Sequence, residues 1–158
     1  MKKKALIIVL VLLLILSAGC TKEEQAFDWE SKIKADFFAG NSEMEKAITA
    51  AVTFEVKQEE ETLLVTVKAP DICDGLLGWM EQVSDEEFTE AAMEQEILRL
   101  LKETAPVERN YDLDYIIDGE TGEIRYSAEF TDAMSCGLNR FYAEVTQRIL
   151  DEMGGNIE

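Results

Sequence analysis

The sequence predicts a small α+β domain: an antiparallel sheet of about four strands in two hairpins, with helices packed on one face. Three observations predict it. Two pairs of segments alternate apolar and polar residues around turn-forming stretches. Apolar residues recur at helical spacing before, between and after those pairs. Each hairpin then has one apolar face, which an antiparallel sheet buries economically under helices. The expected order is α-β-β-α-β-β-α.

The first helix is expected over residues 29–39. Asp28 caps it, Trp29, Ile33 and Phe37 share one face, and Gly40 stops it. In the next segment Ile48, Ala50, Val52, Phe54 and Val56 alternate with Thr49, Ala51, Thr53 and Glu55, the pattern of a half-buried strand. Ser42 and Glu45 fit a capping box, so a helical turn is expected just before it. Leu63, Val65 and Val67 repeat the alternation after Gln58-Glu59-Glu60-Glu61 and complete the first hairpin, which Pro70 ends.

Residues 71–82 read as a short helix bearing Leu76, Leu77, Trp79 and Met80. A longer helix follows. Ser84 and Glu87 form its capping box, Asp85, Glu86 and Glu87 complement its dipole, and Phe88, Ala91, Ala92, Leu98 and Leu101 make its inner stripe. The second hairpin sets Val107, Tyr111, Leu113, Tyr115 and Ile117 against polar neighbours, turns at residues 118–122, and returns through Ile124, Tyr126, Ala128 and Phe130. Its DGETGEI turn resembles the closing hairpin of PepSY-type domains in secreted proteins. Met134, Leu138, Phe141, Tyr142, Val145, Ile149 and Met153 form the stripe of one last helix, which Gly154-Gly155 ends.

The first residues differ in composition from all of this. Lys2, Lys3 and Lys4 precede an uncharged run that reaches Cys20, shorter than the about 20 apolar residues a membrane span needs. Leu16-Ser17-Ala18-Gly19-Cys20 resembles the lipobox of bacterial lipoprotein precursors: an apolar residue, small residues, then cysteine. Ser17 stands where leucine is most frequent. The resemblance implies cleavage between Gly19 and Cys20 and acylation of the Cys20 thiol. Two acyl chains then anchor the protein to the extracytoplasmic face of the cell membrane. A permanent span and an ordinary secretory signal are the other readings. The expected division is 1–19 signal peptide, 20–27 lipidated cysteine and polar tether, and 28–158 exported domain.

Charge and composition narrow the function. The 158 residues carry a net charge of −18, and loss of residues 1–19 leaves 12 basic and 33 acidic residues, net −21. Such a field repels nucleic acid and favours solubility, cations or a basic partner. The chain has no histidine, which removes Ser-His and Cys-His pairs and histidine metal ligands. No catalytic residue and no cofactor are assigned.

Two constellations remain. A hairpin register that sets Asp112 opposite Glu129 and Arg125 opposite Ile116 gathers Asp112, Asp114 and Glu129 on the open face. There they would be oxygen ligands for a divalent cation such as calcium, or simply a solvated acidic surface. Cys73 and Cys136 are the only candidates for a disulfide once Cys20 is acylated. The expected role is non-enzymatic: a lipoprotein module binding an unknown protein or small molecule at the bilayer surface. A structural or immunity-type lipoprotein and a carboxylate-dependent envelope enzyme are the alternatives.

Overall fold

A computed structural model describes residues 27–84, 86–118 and 121–154. Gly19 and Cys20 lie outside the described residues, as do Asp85, Gly119 and Glu120 and the side chain of Met153. The elements are α1 (Trp29–Phe37), α2 (Glu43–Ala51), β1 (Thr53–Gln58), β2 (Thr62–Ala69), α3 (Cys73–Gln82), α4 (Glu90–Glu103), β3 (Val107–Asp118), β4 (Thr121–Arg125), α5 (Ala128–Met134) and α6 (Leu138–Gly154). The strands form one antiparallel sheet in the order β1-β2-β3-β4. The predicted fold class holds, with the two hairpins joined through β2 and β3. No described helix is long and apolar enough to cross a membrane.

The alternation in β2 sets which face is covered. Leu63, Val65, Val67 and Ala69 are buried, while Thr66 and Lys68 face the open side. Pairing aligns Leu63 with Leu113 and Val65 with Tyr111. On this floor sit Trp29 and Ile33 of α1, Leu76 of α3, Ile97 and Leu101 of α4, Phe130 and Met134 of α5, and Phe141 of α6. Among the described residues no charged or polar side chain is buried, and no buried side-chain polar atom lacks a hydrogen bond.

Four boundaries differ from the sequence reading, each because a local hydrogen bond outweighs the periodicity. Residues 48–51 are helical. The Ser42–Glu45 capping box starts α2, and Met44, Ala47, Ile48 and Ala51 at helical spacing carry it to Val52, so the strand begins at Thr53. Ser84 and Glu87 make a turn and not the start of a helix. Thr89 caps α4, accepting from the Ala92 N–H at 3.1 Å, which turns Ile97 and Leu101 into the core and leaves Phe88 exposed beside Trp79. The return strand stops at Arg125 because the Ser127 hydroxyl accepts from the Phe130 N–H at 3.1 Å and opens α5, so Ala128 and Phe130 are helical. The last helix is two helices. A turn at residues 135–137, with φ of 57° at Cys136 and 85° at Gly137, separates α5 from α6.

The β3–β4 register fixes a tight contact. Gly122 lies opposite Ile117, and a Cβ there would meet Phe27 Cζ at 2.6 Å and Trp29 Cη2 at 2.7 Å. Trp29 cannot retreat, since it is buried and its indole N–H donates to Gln58 Oε1 at 2.9 Å. Gly122→Ala is therefore expected to destabilise by about 1–3 kcal/mol, read as a lower urea midpoint with an unchanged slope.

Candidate functional site

The site is built from one carboxylate. Asp71 follows Pro70 at the end of β2, where the chain turns into α3. Its Oδ2 accepts from Arg109 Nη2 of β3 at 3.1 Å, and its Oδ1 from Arg140 Nη2 of α6 at 2.5 Å. The Cys73 N–H, at the first turn of α3, also points at Oδ1 at 3.4 Å. Asp71 thus ties the sheet to α3 and α6.

The turn before α6 makes the approach feasible. A Cβ at Gly137 would lie 2.6 Å from Asp71 Oδ1, so a side chain there would displace the carboxylate. The left-handed φ at that residue suits glycine as well. Asp132 of α5 closes the same turn: its carbonyl accepts from the Gly137 N–H at 2.9 Å and its Oδ1 from the Arg140 N–H at 2.9 Å.

Beside this clamp a cleft of about 780 Å³ opens between β3 and the helices α5 and α6. Arg109, Asn110 and Tyr111 form one wall. Glu129 and Asp132 of α5 and Ala143 of α6 are on the other. The two guanidinium groups are already held by Asp71. Glu129 is exposed and makes no ion pair among the described residues.

Burial pulls the Asp71 carboxyl pKa upward, but the hydrogen bonds from Arg140 and Arg109 outweigh it and hold the group below its ordinary value of 3.8. Burial, followed by the neighbouring carboxylates of Asp71 and Asp132, pushes the Cys136 thiol up to about 12. A thiol so protonated is a poor nucleophile. With no histidine in the chain, no histidine-paired nucleophile can form in the cleft, whose polar side chains are guanidinium, carboxylate, amide and phenol groups.

The residues singled out in the sequence meet different fates. Cys73 and Cys136 are brought to adjoining turns, where the Ile72 N–H donates to the Cys136 carbonyl at 3.0 Å, but both thiols are free and buried. Asp112, Asp114 and Glu129 are not brought together. Asp112 pairs with Leu64 and Asp114 with Arg125, whereas Glu129 sits in the first turn of α5. The β3–β4 register differs from the expected one by two residues: Asp118 pairs with Thr121, so Arg125 faces Asp114 and not Ile116. Among the described residues no group of three or more acidic or cysteine side chains could hold a metal ion. Phe130, expected on the return strand, instead fills the core from α5, stacked on Tyr126 and edge-on to Tyr111 and Phe37. The Asp71–Arg109–Arg140 clamp was missed. Its signal in the sequence was an acid directly after the strand-ending Pro70, with no hint of its distant partners.

No known family model matches the chain, and neither a curated protein nor a solved structure matches it.

Because the folded pKa of Asp71 is depressed, its contribution is present at neutral pH and fades as pH falls below about 4. Asp71→Asn is expected to lose about 1–3 kcal/mol at pH 7, and the gap to the parent protein should narrow toward pH 2 in urea titrations. The buried thiols are expected to resist alkylation in the folded protein. Both should be labelled after unfolding without reductant, as read by peptide mass spectrometry.

Proposed function

We propose that this chain is a membrane-anchored extracytoplasmic lipoprotein whose domain binds a ligand or partner in the cleft between β3 and α5–α6, without catalysing a reaction. The observation that carries the binding role is the cleft itself. Its walls are pinned by a three-way ion-paired clamp, and it is lined by polar groups and Tyr111 around a roomy opening. Concave sites with an apolar body and a few placed polar groups are the usual form of a binding site.

Absence of catalysis rests on the chemistry available. The chain has no histidine, and burial with the neighbouring carboxylates of Asp71 and Asp132 pushes the Cys136 thiol up to about 12. The anchor rests on the lipobox-like segment ending at Cys20. Two acyl chains on Cys20 would hold the domain at the bilayer, with the residues after Cys20 as a spacer.

Both halves of the reading are testable in cells. Cys20→Ser should move the protein from the membrane fraction to the soluble or precursor fraction and abolish palmitate labelling. A photo-crosslinking residue replacing exposed Ala143, on the cleft wall, should give a discrete adduct in intact envelopes. The same residue replacing Glu55, on the open face of the sheet, should not. Equal adducts from both positions, or none from the cleft, would remove the assignment of the site.

A further inference from the structure

The strand β3 is much longer than its neighbour β4. Pairing to β4 covers only residues 114–118 of β3, whereas pairing to β2 covers 107–114. The outer edge of residues 107–113 is therefore without a strand partner among the described residues. The cause is local: Ser127 caps α5 and draws the chain away from the sheet where β4 would have continued. In an antiparallel sheet alternate residues along such an edge present unpaired N–H and C=O groups.

The cleft borders this edge. Arg109, Asn110 and Tyr111 are consecutive, so their side chains alternate between the two faces of the sheet. Asn110 bonds Thr66 on the open face, while Arg109 reaches Asp71 and Tyr111 packs on Phe130 beneath. One cleft touching all three lies along the strand's side. The sheet's other edge, β1, is likewise without an outer strand partner among the described residues; α1 packs near it, and Trp29 bonds the Gln58 side chain.

Charge selects the occupant. Glu108, Asn110 and Asp112 share the open face of the edge; Glu108 is opposite Lys68, but Asp112 is opposite Leu64 and has no cation across from it. Asp112 and Glu129 take part in no ion pair among the described residues, whereas both arginines of the cleft are engaged by Asp71. The uncommitted charge is thus negative, on a chain whose net charge is −18. Opposite charges on directly facing residues of neighbouring strands stabilise the pairing. The chain's own segment before Phe27 is poorly suited to the edge. Phe27 lies against Gly122, at the far end of β3, and Glu23 and Glu24 precede it.

We propose that the free outer edge of residues 108–112 in β3 receives an extended basic peptide of a partner protein by strand addition. This rests on the binding role of the cleft and names its occupant. Two cations four residues apart on the added strand would face Glu108 and Asp112. Apolar side chains between them would face the cleft beside Tyr111.

The test uses the full chain in detergent micelles and a blocked peptide, Lys-Val-Thr-Val-Lys. Added peptide is expected to slow amide hydrogen exchange at alternate residues within 108–112 at least tenfold. Binding should weaken at least tenfold for Asp112→Lys, for a peptide with Glu in place of both Lys, and for a fully N-methylated peptide that cannot form a ladder. Equal binding of the N-methylated peptide would overturn the proposal, as would no added protection at millimolar peptide. Protection of the same amides that rises with protein concentration alone would assign the edge to a second copy and also overturn it. If the Ala143 crosslink forms in envelopes while the peptide gives no protection, the binding role stands and strand addition falls.

Discussion

The arrangement depends on a single carboxylate accepting from three separate parts of the chain. Asp71 holds Arg109 on the sheet, Arg140 on the last helix and the backbone at the start of α3. A half-buried acid with only one such partner would gain little after desolvation. With two guanidinium groups its charge is answered, and the arginines are fixed in turn. This matters in a small domain whose core contains no buried polar side chain among the described residues. The apolar core supplies burial without direction; the clamp supplies direction where sheet and helices meet.

Other features follow from seating that carboxylate. The turn between α5 and α6 must bring backbone within van der Waals distance of Asp71, and Gly137 is the residue that permits it. The break in the helix then buries Cys136, whose thiol lies near two carboxylates and stays protonated. The early exit of β4 into α5 leaves part of β3 uncovered, and the same helices form the opposite wall of the cleft. Cleft, bare strand edge and inert thiol are thus linked consequences of how residues 127–140 cross the end of the sheet.

Much of the fold was legible. The alternating runs of β2 and β3 identified the core face because a strand has period two and one side of this sheet is solvated. The helix stripe was legible in α1; in α6 only Leu138, Phe141 and Val145 of the expected stripe pack inward, and Tyr142 and Ile149 are exposed. Boundaries failed where two local signals competed. In residues 43–51 a mixed apolar run satisfied both periods, and the capping box decided in favour of helix. At residues 126–130 the alternation continued past the true strand end, since the Ser127 cap leaves no mark on hydrophobic periodicity. That same error misplaced Glu129 and with it the acidic trio.

The sequence by itself determined the fold class, the two hairpins, the covered face of the sheet and the acidic, histidine-free chemistry. These depend on local period, turn residues and composition, all of which are properties of short segments. The tertiary structure alone decided the partners of Asp71, the turn that splits α5 from α6, the uncovered length of β3 and the position of the cleft. The partners of Asp71 lie 38 and 69 positions away, the cleft joins β3 to α5 and α6, and the uncovered length of β3 depends on where the Ser127 cap takes the chain. Side-chain contacts at such separation follow from how whole elements pack, and no short stretch of the chain encodes them.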